Sequence, residues 1–303
     1  MLEIGLYGLG RMGGNMARRL SRGGVKVLAC NRSFEVTAKI AAEEANVVAC
    51  KSLDEMLAAL KAPRIVWLML PAGAATQAAL DELMDKLAPG DMVVDGANGY
   101  YKEAQQRAVA LAGKGLAFAD VGVSGGIWGL ANGYCLMSGG ERDAAARVEP
   151  FLKVLAPGPD RGWLHAGPAG AGHFTKMVHN GIEYGMMQAF AEGFALLRAK
   201  SEFDLDLAGI AELWRHSSVV RSWLLDLSAD FLKGDQQLAA IEPFVADSGE
   251  GRWTALESIE QGVPTPVMTL ALMSRFDSQG KADFGNKMLA MMRKGFGGHA
   301  LKE

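Results

Sequence analysis

Cysteine is scarce, with three in 303 residues. Cys30, Cys50 and Cys135 lie far apart with no CxxC spacing, so neither a zinc site nor a disulfide framework is indicated. They read as small buried hydrophobes of a protein kept in a reducing compartment. Long apolar runs are missing as well. Segments such as IVWLML, Ile65 to Leu70, are far too short to span a bilayer, and the N-terminus enters a strand pattern without the regions of a signal peptide. The expectation is a cytoplasmic protein without a membrane partner. A large charge imbalance is absent too: 31 basic against 34 acidic residues leave a net charge of −3, which argues against nucleic acid as a partner. There is no internal repeat, low-complexity tract or heptad run.

What is present is ample apolar material. Half of the residues are hydrophobic and the mean hydropathy is +0.09, enough for a large core and for two domains. In the first half, the apolar runs LEIGLYG, VKVLAC, RIVWLML and DMVVDG alternate with amphipathic segments, the pattern of a parallel sheet wrapped by helices. After about Gly167 the sequence turns to Ala-, Met- and Leu-rich helical stretches. The pattern predicts an α/β Rossmann-type dinucleotide-binding domain over residues 1–167 and an all-α domain for substrate binding and dimerisation over 168–303. The Gly/Pro-rich His165 to Gly172 forms the join.

Gly8-Leu9-Gly10-Arg11-Met12-Gly13 follows the first strand and opens the first helix. Glycines there let the backbone turn tightly and approach a pyrophosphate at the helix N-terminus. At the end of the second strand, Asn31-Arg32-Ser33 stands where an NAD-selective site carries an acid; Arg32 can pair with a 2′-phosphate and Ser33 can donate a hydrogen bond, so NADP is favoured over NAD. The alternative makes Arg32 a solvated surface residue and lets Glu35 supply the carboxylate. Pro71 and Asn98 lie in loops closing two further apolar strands, where open α/β sheets bind ligands; Asn98 can contact substrate or nicotinamide, or simply form a turn. Ser124, Gly125 and Gly126, in a segment read as another such loop from Asp120, offer a hydroxyl and backbone N–H groups to a carboxylate.

GAGHFTKMVHNGIEYG, Gly170 to Gly185, crowds polar groups into a helical segment. Lys176, His179, Asn180, Glu183 and Tyr184 share one helix face, while Met177, Ile182 and Met186 lie away from it and are expected to pack in the core. A lysine packed near apolar groups loses proton affinity and can serve as a base, and a nearby carboxylic acid can return a proton. A plain surface pair between Lys176 and Glu183 is the competing reading.

These stretches, with DGAN, VSGG, GRWTALESIEQGVP and the tail RKGFGGH, resemble the 6-phosphogluconate dehydrogenases of the pentose phosphate pathway over nearly the whole chain. VSGG and the lysine–asparagine spacing are shared with the wider β-hydroxyacid dehydrogenases; KMVHNGIEYG and the arginine–histidine tail are more specific. The resemblance implies oxidative decarboxylation of 6-phosphogluconate to ribulose 5-phosphate, without a metal. It makes Lys176 the base and Glu183 the acid that protonates the enediol, with Asn180 beside them. Asn98, Ser124, Gly125, Gly126, His179 and Asn180 match substrate contacts, and Tyr184 and Arg275 match phosphate ligands. Arg293 and His299 would complete the site of a neighbouring subunit, which implies a homodimer or higher homo-oligomer with shared active sites.

The chain is shorter than the common form and resembles the short bacterial class. Its abbreviated loop DSGEGRW, Asp247 to Trp253, has no room for the lysine that longer forms place against the phosphate; either Arg252 replaces it or the contact is absent. Two other functions compete. A dehydrogenase of a small unphosphorylated acid such as 3-hydroxyisobutyrate explains Lys176 and Asn180 but leaves His179, Glu183, Tyr184, Arg293 and His299 without a role. A non-catalytic NADP-binding sensor would not need both Lys176 and Glu183.

Overall fold

The computed structural model describes residues 1–297 and 300–302. Its chain divides into two compact units, Met1–Met177 and Val178–Glu303. The first unit carries strands β1 (Glu3–Tyr7), β2 (Lys26–Cys30), β3 (Val47–Cys50), β4 (Ile65–Leu68), β5 (Met92–Asp95), β6 (Ala117–Ser124), β7 (Cys135–Gly140) and β8 (Trp163–Gly167). They form one sheet in the order β3-β2-β1-β4-β5-β6-β7-β8. The first six strands in sequence are parallel, and the strand order reverses between β1 and β4, the crevice where such sheets bind dinucleotides. Between them run α1 (Arg11–Arg22), α2 (Phe34–Glu43), α3 (Leu53–Ala59), α4 (Ala74–Lys86), α5 (Tyr101–Ala112), α6 (Gly129–Asn132) and α7 (Arg142–Leu155).

Successive side chains on a strand point to opposite faces, and the sheet separates them accordingly. Val27 and Ala29 of β2 join Met16 and Leu20 of α1 and Phe151 of α7 in one cluster. Leu28 and Cys30 of the same strand join Met56, Leu80 and Leu111 in the other. Burial on both faces explains why these strands read as continuous apolar runs rather than alternating ones. The pair β6–β7 is antiparallel, because the short connection 125–134 cannot make the long crossover that a parallel pair requires. That connection therefore stays at the carboxyl end of β6.

Helix α8 (Ala171–Ala199) runs from the first unit into the second, which continues with α9 (Leu207–Trp214), α10 (Trp223–Gly234), α11 (Glu250–Gln261), α12 (Pro266–Ser278) and α13 (Asp283–Gly297). Local signals set these limits. Ser222 caps α10 by accepting the Leu225 N–H, Gly262 closes α11 at φ 66°, and Pro266 opens α12. Phe190 and Phe194 of α8 pack on Leu207, Ala211, Leu225 and Leu232, while Tyr184 packs with Ala271 and Leu272.

The sequence pattern missed β3, β7 and β8, and Asp120–Ser124 is strand rather than loop; only Gly125 and Gly126 begin the connection. Cys30 and Cys50 are buried as expected, but Cys135 is exposed. No helix among the described residues is long and apolar enough to cross a membrane.

Candidate active site

The loop between β1 and α1 is shaped by what its glycines exclude. Gly8 has φ +101°, and a Cβ there would stand 2.5 Å from the Met69 carbonyl oxygen; one on Gly13 would stand 2.0 Å from that of Gly8. Neither position admits a side chain. Gly10 differs, since nothing lies within 4 Å of where its Cβ would be. It is the N-cap of α1 and offers no side chain to the first-turn N–H groups. These donors, an open approach and the helix dipole suit a pyrophosphate. Leu9 is buried, Arg11 is exposed and Met12 is half-buried.

Beyond β2, Asn31 turns back toward this loop. Its Oδ1 accepts the Leu9 N–H at 3.0 Å, and its Nδ2 donates to the Ser33 carbonyl at 3.3 Å. Asn31 thus braces the glycine turn, and the exposed side chains beside it are Arg32, Ser33 and Glu35. At the end of β4, Thr76 donates to the Pro71 carbonyl at 2.9 Å and fixes the loop's exit.

At the other end of the first unit, α8 is seated by close backbone approach. The buried Asp120 carboxylate accepts the N–H groups of Gly170 and His173, each at 2.7 Å, a charged cap on the helix N-terminus. A Cβ on Gly172 would lie 2.4 Å from the Met137 carbonyl oxygen, and one on Gly139 2.5 Å from the Asp120 carboxylate. A Cβ on Gly122 would lie 2.4 Å from that of Lys176. The lysine stem therefore lies directly on β6, and Lys176 is buried to 7% exposure. Cys135, paired with Ser124 across β6–β7, senses this lysine: although the residue is exposed, protein packed around its thiol removes part of its solvation and pushes it up, and the Lys176 ammonium opposes the rise. Gly125 and Gly126 both have positive φ, and Gly126 opens onto free space. Their connection is held from α1, where Asn15 donates to the Ile127 carbonyl at 3.2 Å and the Arg19 guanidinium reaches that of Leu130 at the same distance. Asn98 is exposed just beyond β5.

Further along α8, in the second unit, His179 Nδ1 lies 3.1 Å from Asn180 Oδ1 and 3.9 Å from Glu183 Oε2. Glu183 is half-exposed, while Asn180 and Tyr184 are buried. A Cβ on Gly181 would lie 2.7 Å from the Thr254 methyl group, and one on Gly251 2.5 Å from the Tyr184 ring, so these glycines let α8 and α11 pack at close range. The Arg275 guanidinium lies 3.4 Å from the centroid of the Tyr184 ring, and the Tyr184 hydroxyl has no hydrogen-bond partner among the described residues. A cation and a phenolic donor side by side suit an anion. Arg252 is held by Asp247 through two hydrogen bonds of 2.8 and 3.0 Å and stacks on Phe276. Asp247 is kept below the usual carboxylate range by this pairing, against the effect of its burial.

Residues 3–164 match the NAD binding domain of 6-phosphogluconate dehydrogenase, and residues 172–295 match the C-terminal domain of the same enzyme. A Haloferax volcanii protein named NAD+-dependent, decarboxylating 6-phosphogluconate dehydrogenase is 40% identical over 299 residues, 98% of each chain. The chain belongs to the 6-phosphogluconate dehydrogenase family. A Bacillus subtilis member named as NADP+-dependent is 36% identical, with 93% of this chain covering 62% of the longer one. The solved 6-phosphogluconate dehydrogenase of Plasmodium falciparum has a TM-score of 0.85 at 30% identity, covering 97% of this chain and 65% of the other. This family member thus spans about two thirds of the longer relatives. The 3-hydroxyisobutyrate dehydrogenase of Mycobacterium tuberculosis shares the fold, with a TM-score of 0.71 at 21% identity.

Within this 6-phosphogluconate dehydrogenase family member, His179, Asn180 and Glu183 lie together, as do Tyr184 and Arg275. Arg293 is exposed on α13, and His299 lies outside the described residues. One expectation is corrected: Ile182 and Met186 are 51% and 40% exposed, so the face of α8 away from the polar stripe is not wholly packed in the core. The part that Asp120, Gly122, Gly139 and Gly172 play in seating α8 is not evident from the sequence. The chief local hint was a dense run of glycines in segments that had to meet.

Proposed function

We propose that the chain oxidises and decarboxylates 6-phosphogluconate to ribulose 5-phosphate, with NADP as cofactor and NAD as the weaker alternative. The observation that carries this reading is the array on one helix: buried Lys176, then His179 beside both Asn180 and Glu183, then Tyr184 under Arg275. A dehydrogenase of an unphosphorylated acid would have no use for the last pair. The dinucleotide, bound at the α1 N-terminus through its pyrophosphate, supplies a hydride acceptor.

Lys176 takes the proton of the substrate's third hydroxyl as its carbon is oxidised. Held against β6, the same amine then hydrogen-bonds or protonates the new ketone, which accepts the electrons released with carbon dioxide and becomes an enediol. Glu183 protonates the first carbon of that enediol, and His179 contacts the substrate. Asn180 and Asn98 hold substrate hydroxyls, and Ser124 with the N–H groups at Gly125 and Gly126 receives the carboxylate. Tyr184 and Arg275 take the phosphate. Arg293 and His299 reach the site of a second subunit, so the working form is a homodimer or larger homo-oligomer. The domains divide as residues 1–167 for the dinucleotide and 168–303 for substrate and assembly.

The test is a substrate screen with both cofactors, reading reduced nicotinamide together with carbon dioxide. Matched production of both from 6-phosphogluconate is expected. Oxidation of 3-hydroxyisobutyrate in preference, or reduction of cofactor without carbon dioxide, overturns the reading.

A further inference from the structure

His173 stands one helical turn before Lys176, and its side chain has no role in the chemistry above. His173 is 1% exposed, and among the described residues neither Nδ1 nor Nε2 has a hydrogen-bond partner. Its backbone N–H is already used by Asp120. The ring lies against the turn that follows β5: a Cβ built on Gly99 would be 3.4 Å from both Nδ1 and Cε1 of His173, and 3.8 Å from Arg107 Nη1. Arg107 is itself occupied, with Asp95, Glu103 and Gln77 as partners at 3.0, 2.8 and 3.1 Å. Asp95 in turn accepts the Ala97 N–H at 3.1 Å. The Asp95 end of the Asp95–Gly99 turn is therefore firmly anchored, and an imidazole lies beside Gly99 at its other end.

A buried ring with two unpaired nitrogens costs stability, and a phenyl ring of similar shape would fill the same space without that cost. Such costs gather at functional sites, where a polar group is kept for the state it stabilises. Catalytic hydrogen bonds commonly tighten when substrate binds.

We propose that His173 is a positioning residue: when substrate binds, its ring hydrogen-bonds the backbone of the Asn98-Gly99 turn and fixes Asn98 relative to Lys176. The helix holds His173 and Lys176 at constant spacing, so one bond from the ring sets the turn against the base. The inference rests on the functional reading above and adds to it a residue that touches no reacting atom.

The test compares His173→Phe, which keeps the ring, with His173→Asn, which keeps a polar group near the place of Nδ1. A misplacement of about 1 Å in such a site costs on the order of a hundredfold in rate. The Phe variant is expected to match or exceed the parent in melting temperature, yet to lose roughly ten- to a hundredfold in kcat with cofactor KM nearly unchanged. The Asn variant is expected to recover most of that kcat. A Phe variant as active as the parent, or Phe and Asn variants reduced equally, overturns the proposal. Should the Phe variant not fold, nitrogen-15 spectra of histidine-labelled protein decide it, with the His173 signal assigned by its loss in the Asn variant. That signal is expected to move when 6-phosphogluconate joins oxidised cofactor, and a signal that stays in place refutes the bond. A parent chain with no turnover of 6-phosphogluconate is a different failure: it removes the functional reading itself, and this proposal with it.

Discussion

The two units are built by different means. In the first, backbone does most of the work: Gly8, Gly10 and Gly13 shape the dinucleotide turn, and Gly122, Gly139 and Gly172 let α8 lie on the sheet. In the second, side chains carry the features, with His179, Asn180 and Glu183 in one group and Tyr184 with Arg275 in another. The cores differ as well. Two large clusters cover the faces of the sheet, whereas the helical unit has two small ones and leaves Phe284, Met288, Leu289, Met291 and Met292 of α13 exposed. Where backbone meets backbone, as at Gly13 and Gly172, no added atom is tolerated, while a group made of side chains degrades by degrees.

The largest effects are expected at Lys176 and Glu183, the two residues proposed to transfer protons. Lys176→Met should abolish hydride transfer. Glu183→Gln should leave a burst of reduced cofactor in a single turnover and slow only the later protonation. Loss of the burst in both variants would erase the division of labour between the two ends of the polar stripe.

Next in size is a single methyl group. Gly122→Ala places a Cβ 2.4 Å from that of Lys176, so the lysine stem must shift by about 1 Å, which is expected to cost on the order of a hundredfold in kcat. Cofactor binding, followed by fluorescence titration, should change little. A Gly122→Ala enzyme of normal kcat would show that the strand does not set the base.

Arg32 offers a contrast, because it is an exposed side chain of the first unit. Arg32→Ala should weaken NADP by about 1.5 to 3 kcal/mol, the range for a hydrogen bond to a charged group, and leave NAD nearly untouched. Equal loss for both cofactors would assign selection elsewhere.

The exposed α13 leads to a test of assembly. Chains truncated before Arg293 should show a substrate KM raised roughly tenfold or more, since a bidentate arginine–phosphate contact is lost. Mixed with Lys176→Met chains under conditions of subunit exchange, they should regain activity, because an intact lysine can then meet an intact tail. Exchange without recovery would return the tail to its own subunit.

How far the sequence disclosed these features follows from their range. The glycine turn, the polar stripe on α8 and the buried parallel strands are local patterns, readable from spacing alone. The strands β3, β7 and β8 were hidden because they are short, glycine-bearing or partly exposed. Asp120, Gly122 and His173 acquire meaning only when β5, β6 and α8 meet, a contact that no periodicity encodes. Ile182 and Met186 were misjudged for a similar reason: an apolar residue on a helix shows the need for cover, not what covers it.

The smallest expected effect probes the backbone-built unit without touching its backbone. Cys30 and Cys50 are buried, with thiols pushed up to about 11, so a thiol reagent applied near pH 8 should report on Cys135. Partial loss of solvation already raises that thiol above its ordinary value, and the nearby Lys176 ammonium holds part of the rise back by stabilising the thiolate. Removing the charge in Lys176→Met should therefore raise the thiol further. Its reaction should slow at fixed pH, and the onset of labelling should move to higher pH. If the onset is unchanged while Lys176→Met still abolishes hydride transfer, the lysine amine lies too far from β7 to be felt there. The seating of its stem on Gly122 would then not fix where its charge ends.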